Sequence, residues 1–185
     1  MVKEKPAKRD IKVVNIVVST SLKHDIPLEK MAATLSNTEY NPEQFPGLVI
    51  RIKEPKTSAL IFSSGKVVCT GARSMEKVNE SIKKIIKSLE KINIKITIDP
   101  EIKIQNIVAS GSVGMDLNLN VLAMKLENTE YEPEQFPGLV YKLEEAKATF
   151  LLFSNGKIVC TGTKSEKEVH QALDKLIINL KKVKA

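Results

Sequence analysis

The sequence has no tryptophan and only two residues each of cysteine and histidine. Cys69 and Cys160 lie outside any C-x-x-C pair and have no histidine pair nearby, so their spacing does not favour a metal or redox site. Their apolar neighbours predict buried free thiols instead. His24 and His170 do not occupy matching positions in the repeats described below. These absences disfavour an enzyme and predict neither a metal nor another cofactor.

Long apolar runs are also missing. No stretch of the chain reaches the roughly 18 consecutive apolar residues expected of a membrane-spanning helix. The chain begins Met-Val-Lys-Glu-Lys-Pro, without an apolar signal region. We therefore expect a protein that stays inside the cell and has no membrane partner.

The most informative property of the sequence is internal repetition. A shift of 91 residues aligns Ile11–Ile94 with Ile102–Ala185 without a gap, and 40 of the 84 aligned residues are identical. The segment Thr-Glu-Tyr-x-Pro-Glu-Gln-Phe-Pro-Gly-Leu-Val occurs at residues 38–49 and again at 129–140. The predicted organisation is a flexible basic tail over residues 1–10, a first repeat over 11–94, a linker over 95–101 and a second repeat over 102–185.

Each repeat is predicted to contain about five strands and two helices. Apolar residues alternate in the strands and recur every three or four positions in the helices. In the first repeat we expect strands at Ile11–Thr20, Asn37–Tyr40, Leu48–Lys53, Ser58–Ser63 and Val67–Gly71, a short helix opened by Pro27, and a long helix from Ser74 to about Ile92. Ser165 and Glu168 form a capping box at the start of the second long helix. Hairpin connections indicate an antiparallel α+β body.

The predicted strands are apolar on both sides, but two helices cannot cover both sides of a five-stranded sheet. One side is expected to form the core beneath the helices, with Val14, Ile16, Ile50, Ile61, Val67 and Cys69. The long helices are expected to add Val78, Ile82, Ile85, Ile86 and Leu89 and, in the second repeat, Val169, Leu173, Leu176, Ile177 and Leu180.

The opposite side of the sheet is predicted to face solvent and to bind a partner, because monomers rarely expose so large an apolar surface. Its residues in the first repeat are Asn15, Val17, Phe45, Val49, Arg51, Leu60, Phe62, Val68 and Thr70, with Lys66 at the edge. Those in the second repeat are Asn106, Val108, Phe136, Val140, Lys142, Leu151, Phe153, Val159 and Thr161, with Lys157 at the edge. Without a partner, we expect this surface to favour self-association.

The charge of the chain favours a polyanionic partner, since the formal net charge is +7 and the pI about 9.3. A sheet with cations at its edges and mostly aliphatic residues between them offers few groups for the donor and acceptor code of the major groove. It suits the minor groove of A·T-rich DNA, where adenine N3 and thymine O2 are acceptors to which Asn15 and Asn106 can donate. The residues thus predict a double-stranded DNA partner.

Two other functions stay open on the residues alone. A nucleic-acid enzyme could use a related sheet, although no carboxylate cluster recurs on the exposed side. A pseudo-dimeric module that binds an apolar ligand or protein would keep the apolar side, but would not need Arg51, Lys66, Lys142 and Lys157. The phenylalanines also have an ordinary alternative, which is packing in the core.

The repeated Phe-Pro-Gly segments and the later blocks Phe-Ser-Ser-Gly-Lys and Phe-Ser-Asn-Gly-Lys, each followed by a Cys-Thr-Gly, resemble the TATA-box binding protein family over residues 11–185. The resemblance implies a general transcription initiation factor, not an enzyme, with a pseudo-two-fold saddle made from a curved antiparallel sheet and four helices on its convex side. It further implies that the phenylalanines wedge between base steps of the TATA box and kink the DNA, as is known for this family.

The resemblance also implies protein partners. The loops before Phe45 and Phe136 correspond to the family's stirrups, and the second stirrup contacts transcription factor B, which leads to the RNA polymerase preinitiation complex. Glu132 and Glu134 match the acidic pair of that contact, and Gln135 stands where eukaryotic members have leucine. Pro46-Gly47 and Lys142 also depart from the eukaryotic pattern, so the chain looks archaeal. A nucleoid-associated cytoplasmic location follows, or a nuclear one in a eukaryote.

Overall fold

The computed structural model describes residues 10–184, with backbone only at residue 184. Most of the predicted basic tail, residues 1–9, lies outside the described residues. The elements are β1 (Asp10–Ser21), α1 (Leu28–Thr34), β2 (Thr38–Glu39), β3 (Leu48–Ile52), β4 (Thr57–Ile61), β5 (Lys66–Ala72), α2 (Met75–Glu90), β6 (Lys103–Ser112), α3 (Leu119–Lys125), β7 (Thr129–Glu130), β8 (Leu139–Leu143), a 3-10 turn (Glu144–Ala146), β9 (Ala148–Leu152), β10 (Lys157–Thr163) and α4 (Glu166–Lys184). They confirm the predicted α+β class.

The described chain divides into two compact units. The first unit comprises residues 15–105, and the second comprises residues 106–184 together with 10–14. Within the first unit the strand order is β2-β3-β4-β5-β1, and within the second it is β6-β10-β9-β8-β7. The pairings recorded between neighbouring strands of each unit are antiparallel. Each unit therefore has a four-stranded meander, a first strand that pairs with the last strand of that meander, and one long helix after it.

The long helices begin where the sequence places their caps. Ser74 Oγ accepts a hydrogen bond from the Lys77 backbone N–H at the start of α2. At the start of α4, Ser165 Oγ accepts from Glu168 N at 3.1 Å. The Glu168 carboxylate accepts in turn from Lys164 N at 2.7 Å, one residue before the expected position. These bonds satisfy amide groups that have no partner within the helix.

The core of each unit lies between the long helix and one side of the sheet. In the first unit, Thr57 Oγ1 of β4 lies 2.8 Å from Ser81 Oγ of α2, and both residues are buried. In the second, the Tyr141 hydroxyl of β8 accepts from Asn179 Nδ2 of α4 at 2.8 Å. These bonds show that the buried side of each sheet faces its long helix.

Most residues predicted for the core are buried, and three are not fully so. Val14, Ile86 and Ile177 are only half-buried. Ile86 and Ile177 occupy the same position in the two long helices, at the margin of the apolar stripe, where the helix surface turns towards solvent. The fourth strand was predicted at Ser58–Ser63, but β4 ends at Ile61. Phe62 already belongs to the hairpin turn, in which Gly65 N donates to Phe62 O at 2.9 Å.

No helix within residues 10–184 is both long enough and apolar enough to cross a membrane.

Candidate nucleic-acid interface

The candidate interface is the side of each sheet that turns away from the long helix. We call these surfaces the first face and the second face. The first face comprises Asn15, Val17, Phe45, Val49, Arg51, Leu60, Phe62, Lys66, Val68 and Thr70. The second face comprises Asn106, Val108, Phe136, Val140, Lys142, Leu151, Phe153, Lys157, Val159 and Thr161. None of these twenty residues is buried.

Strand register assembles the centre of each face. In the first unit, Val49 lies opposite Leu60, Leu60 opposite Val68, and Val68 opposite Ser19, so one row crosses four strands. In the second unit Val140, Leu151, Val159 and Ser110 form the same row. Aliphatic side chains directly opposite one another on antiparallel strands lie in contact. The result in each unit is an apolar strip that ends in a serine.

Two phenylalanine rings stand together at one end of each strip. Phe45 and Phe62 have ring centroids 5.9 Å apart at an interplanar angle of 67°, and the Phe136 and Phe153 rings are 6.0 Å apart at 69°. The outer ring of each pair is exposed, with 44% of Phe45 and 42% of Phe136 accessible to solvent. Edge-to-face packing of this kind contributes about 0.5–1.5 kcal/mol beyond the area it buries. The four phenylalanines thus lie on the side predicted to face solvent and are not packed in the core, which was the alternative, so a partner can reach them.

A glycine makes each ring pair possible. A Cβ atom on Gly47 would lie 2.7 Å from Cε1 of Phe45 and 3.2 Å from Cε1 of Phe62. On Gly138 it would lie 2.7 Å from Phe136 Cε1 and 3.0 Å from Phe153 Cε1. Any side chain here would displace the rings. This role of the glycines was not predicted, although the recurrence of Phe-Pro-Gly is a signal that could have shown it.

The two asparagines are held in one orientation by a backbone irregularity. The pairing of β1 with β5 changes register between Ile16 and Val18, and Gly71 adopts a φ of +101° at this point. The Asn15 Oδ1 atom accepts from Gly71 N at 2.7 Å, and Asn15 Nδ2 donates to the Thr70 hydroxyl at 3.1 Å. Because the amide oxygen is occupied by a backbone N–H, a flip of the amide would leave that N–H unsatisfied.

The second unit repeats this arrangement. Asn106 Oδ1 accepts from Gly162 N at 2.8 Å, and Asn106 Nδ2 donates to Thr161 Oγ1 at 2.9 Å. In both units the second hydrogen of Nδ2 has no acceptor within residues 10–184. Each asparagine therefore presents a donor, and not an acceptor, to whatever lies on the face.

The outer cation of each face has an acidic neighbour that the sequence analysis did not include. Arg51 Nη1 lies 3.2 Å from Glu39 Oε2, and Lys142 Nζ lies 3.1 Å from Glu130 Oε1. All four side chains are more than half exposed, so these ion pairs contribute little to stability and exchange readily with another anion. Glu39 and Glu130 could have been found, because they stand at equivalent places in the repeat.

The loops before Phe45 and Phe136 have the same backbone turn. Gln44 N and Phe45 N both donate to Asn41 O at 3.0 Å, and Gln135 N and Phe136 N both donate to Glu132 O at 3.0 Å. Glu132, Glu134 and Gln135, which the resemblance assigns to a protein partner, are exposed. The equivalent of Glu132 in the first loop is the neutral Asn41, so the two loops differ in charge but not in turn geometry.

Neither cysteine lies on a face. Cys69 and Cys160 are fully buried free thiols, as predicted. Burial raises the pKa of the Cys69 thiol, although a hydrogen bond with Ser81 opposes the shift. Burial likewise raises the pKa of Cys160 to about 11, against the opposing effect of Thr163. Both thiols therefore stay protonated at neutral pH and pack as small apolar groups.

Comparison with known proteins agrees with this architecture. The chain matches the family model described as transcription factor TFIID, or TATA-binding protein, over residues 10–92 and 101–183. It is 53% identical to the TATA-box-binding protein of Methanocaldococcus jannaschii over 174 residues, which cover 94% of this chain and 95% of that protein. It is 50% identical to the TATA-box-binding protein of Archaeoglobus fulgidus over 168 residues, or 90% of this chain and 92% of that one.

The fold agrees as well. The solved structure of Methanococcus jannaschii TBP superposes with a TM-score of 0.88 at 53% sequence identity, and the match covers 94% of this chain and 99% of that chain. These matches span both repeats, including the loops and turns that shape the two faces. The chain belongs to the TATA-binding protein family of transcription factors.

Proposed function

We propose that the protein is a general transcription initiation factor that binds the minor groove of A·T-rich, TATA-containing promoter DNA through its two faces. The observation that carries the proposal is the fixed donor that Asn15 and Asn106 present on two mostly aliphatic faces. Adenine N3 and thymine O2 are both acceptors, whereas a G·C pair adds the guanine amino donor. Asn15 and Asn106 complement the first pattern and oppose the second.

The two ring pairs, each with one exposed phenylalanine, support a kink at the base step that each pair contacts. Opening one base step costs a few kcal/mol. Burying one phenylalanine side chain contributes roughly 1.5–3 kcal/mol. Because the two quantities are similar, insertion is favourable only at a step that is already easy to deform, and TA steps are among the softest. In this proposal deformability selects the promoter together with the hydrogen bonds.

The second loop is the proposed contact for transcription factor B, through which the RNA polymerase preinitiation complex assembles. Glu132, Glu134 and Gln135 are exposed and stand on a turn that two backbone bonds to Glu132 O hold in place. Two carboxylates on a fixed turn suit a basic partner surface. On promoter DNA inside the cell, the protein would be associated with the nucleoid.

The experiment is a binding titration of the full chain against a TATA duplex and a scrambled G·C-rich duplex over a salt series, with bending followed by energy transfer between the duplex ends. We expect preference for the TATA duplex, a log–log salt slope of about −0.9 for each neutralised phosphate, and a bend. The matched variants Asn15→Asp and Asn106→Asp keep the acceptor for the glycine N–H but lose the donor, so they should fold normally and lose A·T preference. Equal affinity of the wild type for both duplexes would refute the proposal.

A second arm adds transcription factor B to the DNA complex. Glu132→Arg with Glu134→Arg should abolish the slower ternary band while leaving DNA affinity intact. Glu43→Arg, at the position in the first loop that matches Glu134, is the control and should keep the ternary band. Loss of the ternary band in the control as well would show that the contact is not specific to the second loop.

A further inference from the structure

The loop between β1 and α1 contains a lysine in a backbone conformation that favours glycine. Lys23 has a φ of +49°, and the residue 91 positions later is Gly114, with a φ of +72°. Glycine adopts this region at no steric cost, whereas a side chain is disfavoured there. The second unit therefore has the residue that the backbone prefers, and the first unit has a cation in its place. An observed outlier of this kind often marks a functional position.

Hydrogen bonds fix Lys23 next to the hairpin that carries Lys66. Leu22 N donates to Gly65 O at 2.9 Å, and Ile26 N donates to Ser63 O at 2.8 Å. The backbone N–H of Lys23 itself donates to Ser21 Oγ at 3.2 Å. Both ends of the loop are thus tied to the β4–β5 turn, so Lys23 keeps its place beside the first face.

Lys23 and Lys66 line one cavity of about 770 Å³ together with Lys103. Polar residues on the same wall include Ser19, the serine that ends the apolar strip of the first face, and Gln105, whose Nε2 donates to Ser19 Oγ at 2.8 Å. The cavity therefore opens beside the residues proposed to contact the minor groove.

The charges around the cavity leave three ammonium groups available. Lys23, Lys66 and Lys103 are exposed, and none of them forms an ion pair within residues 10–184. Asp99 and Glu101 also line the cavity, so it holds three cations and two carboxylates. Glu101 is held through its backbone oxygen, which accepts from Thr20 Oγ1 at 2.6 Å, and its carboxylate engages none of the lysines. Three cations without ion pairs therefore lie beside the first face, the surface proposed to bind anionic DNA.

We propose that Lys23, with Lys66 and Lys103, forms a binding site for the DNA phosphate backbone beside the first face, and that Lys23 is the contact the first unit has in addition to those of the second. The matching corner of the second unit contains Lys157 and Lys12 but Gly114 in place of Lys23. This inference rests on the proposed function. It adds a contact with the DNA phosphates to the contacts that the two faces are proposed to make with the minor groove.

The test is the variant Lys23→Gly, which copies Gly114 into the first unit. Two effects of opposite sign are expected. The fold should become more resistant to urea, because the left-handed backbone no longer carries a side chain. Affinity for the TATA duplex should fall about five- to tenfold near 0.1 M salt, and the log–log salt slope should become shallower by about 0.9, since one phosphate contact is lost.

The matched control is Lys23→Gln, which removes the charge and keeps a side chain on the strained backbone. It should show the same loss of DNA affinity and salt slope as Lys23→Gly, without the gain in stability. In the reverse direction, Gly114→Lys should steepen the salt slope and lower stability. Unchanged salt slopes in both Lys23 variants, with a wild type that still prefers the TATA duplex, would overturn this inference and leave the proposed function standing. A wild type without TATA preference would refute the proposed function itself.

Discussion

Across β3 and β4 of the first unit, Ile50 lies opposite Ala59, whereas the equivalent pair in the second unit is Tyr141 and Phe150. Beneath the long helices the contrast is one of polarity, because the bonded pair Thr57 and Ser81 corresponds to Ala148 and Ala172. The first face and the second face, unlike the two cores, are nearly identical to each other. Nine of their ten residue pairs are identical, and the tenth exchanges Arg51 for Lys142.

This comparison shows in which parts of the repeat the choice of residue is limited by packing and in which parts it is limited by an external partner. A core accepts many combinations of apolar residues as long as total volume and pattern are preserved. A solvent-facing aliphatic strip has no packing reason to keep the same residues in both copies. Its identity in the two units fits a ligand that presents nearly the same surface twice, as the minor groove of an A·T-rich duplex does.

The largest expected effect separates two neighbouring phenylalanines of the second unit. Phe150→Ala should reduce the free energy of unfolding by about 3–5 kcal/mol, because it empties a fully buried site. Phe153→Ala should cost less, because Phe153 is only half-buried and its ring pair adds about 0.5–1.5 kcal/mol beyond the buried area, and it should instead weaken TATA binding. Urea unfolding and DNA titration of both variants measure the contrast. A stable Phe150→Ala protein would break the distinction between core and face.

A smaller effect is expected from the polar pair of the first core. Ser81→Ala should destabilise by about 1 kcal/mol, since Thr57 Oγ1 is left with only a 3.4 Å contact to Pro55 O. Thr57→Ala should cost less, because Ser81 Oγ also donates to Lys77 O at 2.9 Å. The double variant copies the alanines of the second unit. Its free energy of unfolding should fall by less than the sum of the decreases in the two single variants. Strict additivity in this double-mutant cycle would mean that the pair is not coupled.

The smallest effect concerns the buried thiols and alkaline pH. The folded state raises the pKa of Cys160 to about 11, so the unfolded chain releases this proton at a lower pH than the folded protein. The unfolding free energy should therefore fall as pH rises from about 9 towards 11. Measured against pH, the stability difference between the wild type and Cys160→Ala should be constant below pH 8 and should narrow at higher pH. A difference that does not change with pH would contradict buried, protonated Cys160.

Much of the fold was predictable because the sequence contains two copies of the same repeat. A strand or helix signal that is ambiguous in one copy is supported at the matching position of the other, as Ser74 is by the capping box at Ser165. Boundaries were less accurate. The apolar pattern assigned Phe62 to a strand. In the structure Phe62 belongs to the hairpin turn instead, because its carbonyl oxygen accepts a hydrogen bond from Gly65 N.

The candidate site was predictable in outline and not in detail. Alternation along each strand distinguishes one side of a sheet from the other, so Val49, Leu60 and Val68 could be grouped without coordinates. The clearance that Gly47 gives to the rings could not be foreseen, because it depends on the distance between backbone and side chains after folding. The acidic neighbours Glu39 and Glu130 were missed for a related reason, since short strands carry little pattern.

By itself, the amino-acid sequence determined the duplication, the number of strands and helices in each copy, and the side of each sheet that carries the apolar strip, since these follow from periodicity along the chain. Only the tertiary structure decided the orientation of the Asn15 and Asn106 amides, the pairing of Arg51 with Glu39, and the position of Lys23 beside Lys66. The physical reason is that each of these depends on contacts between residues far apart in sequence, and those contacts exist only after the strands have found their register.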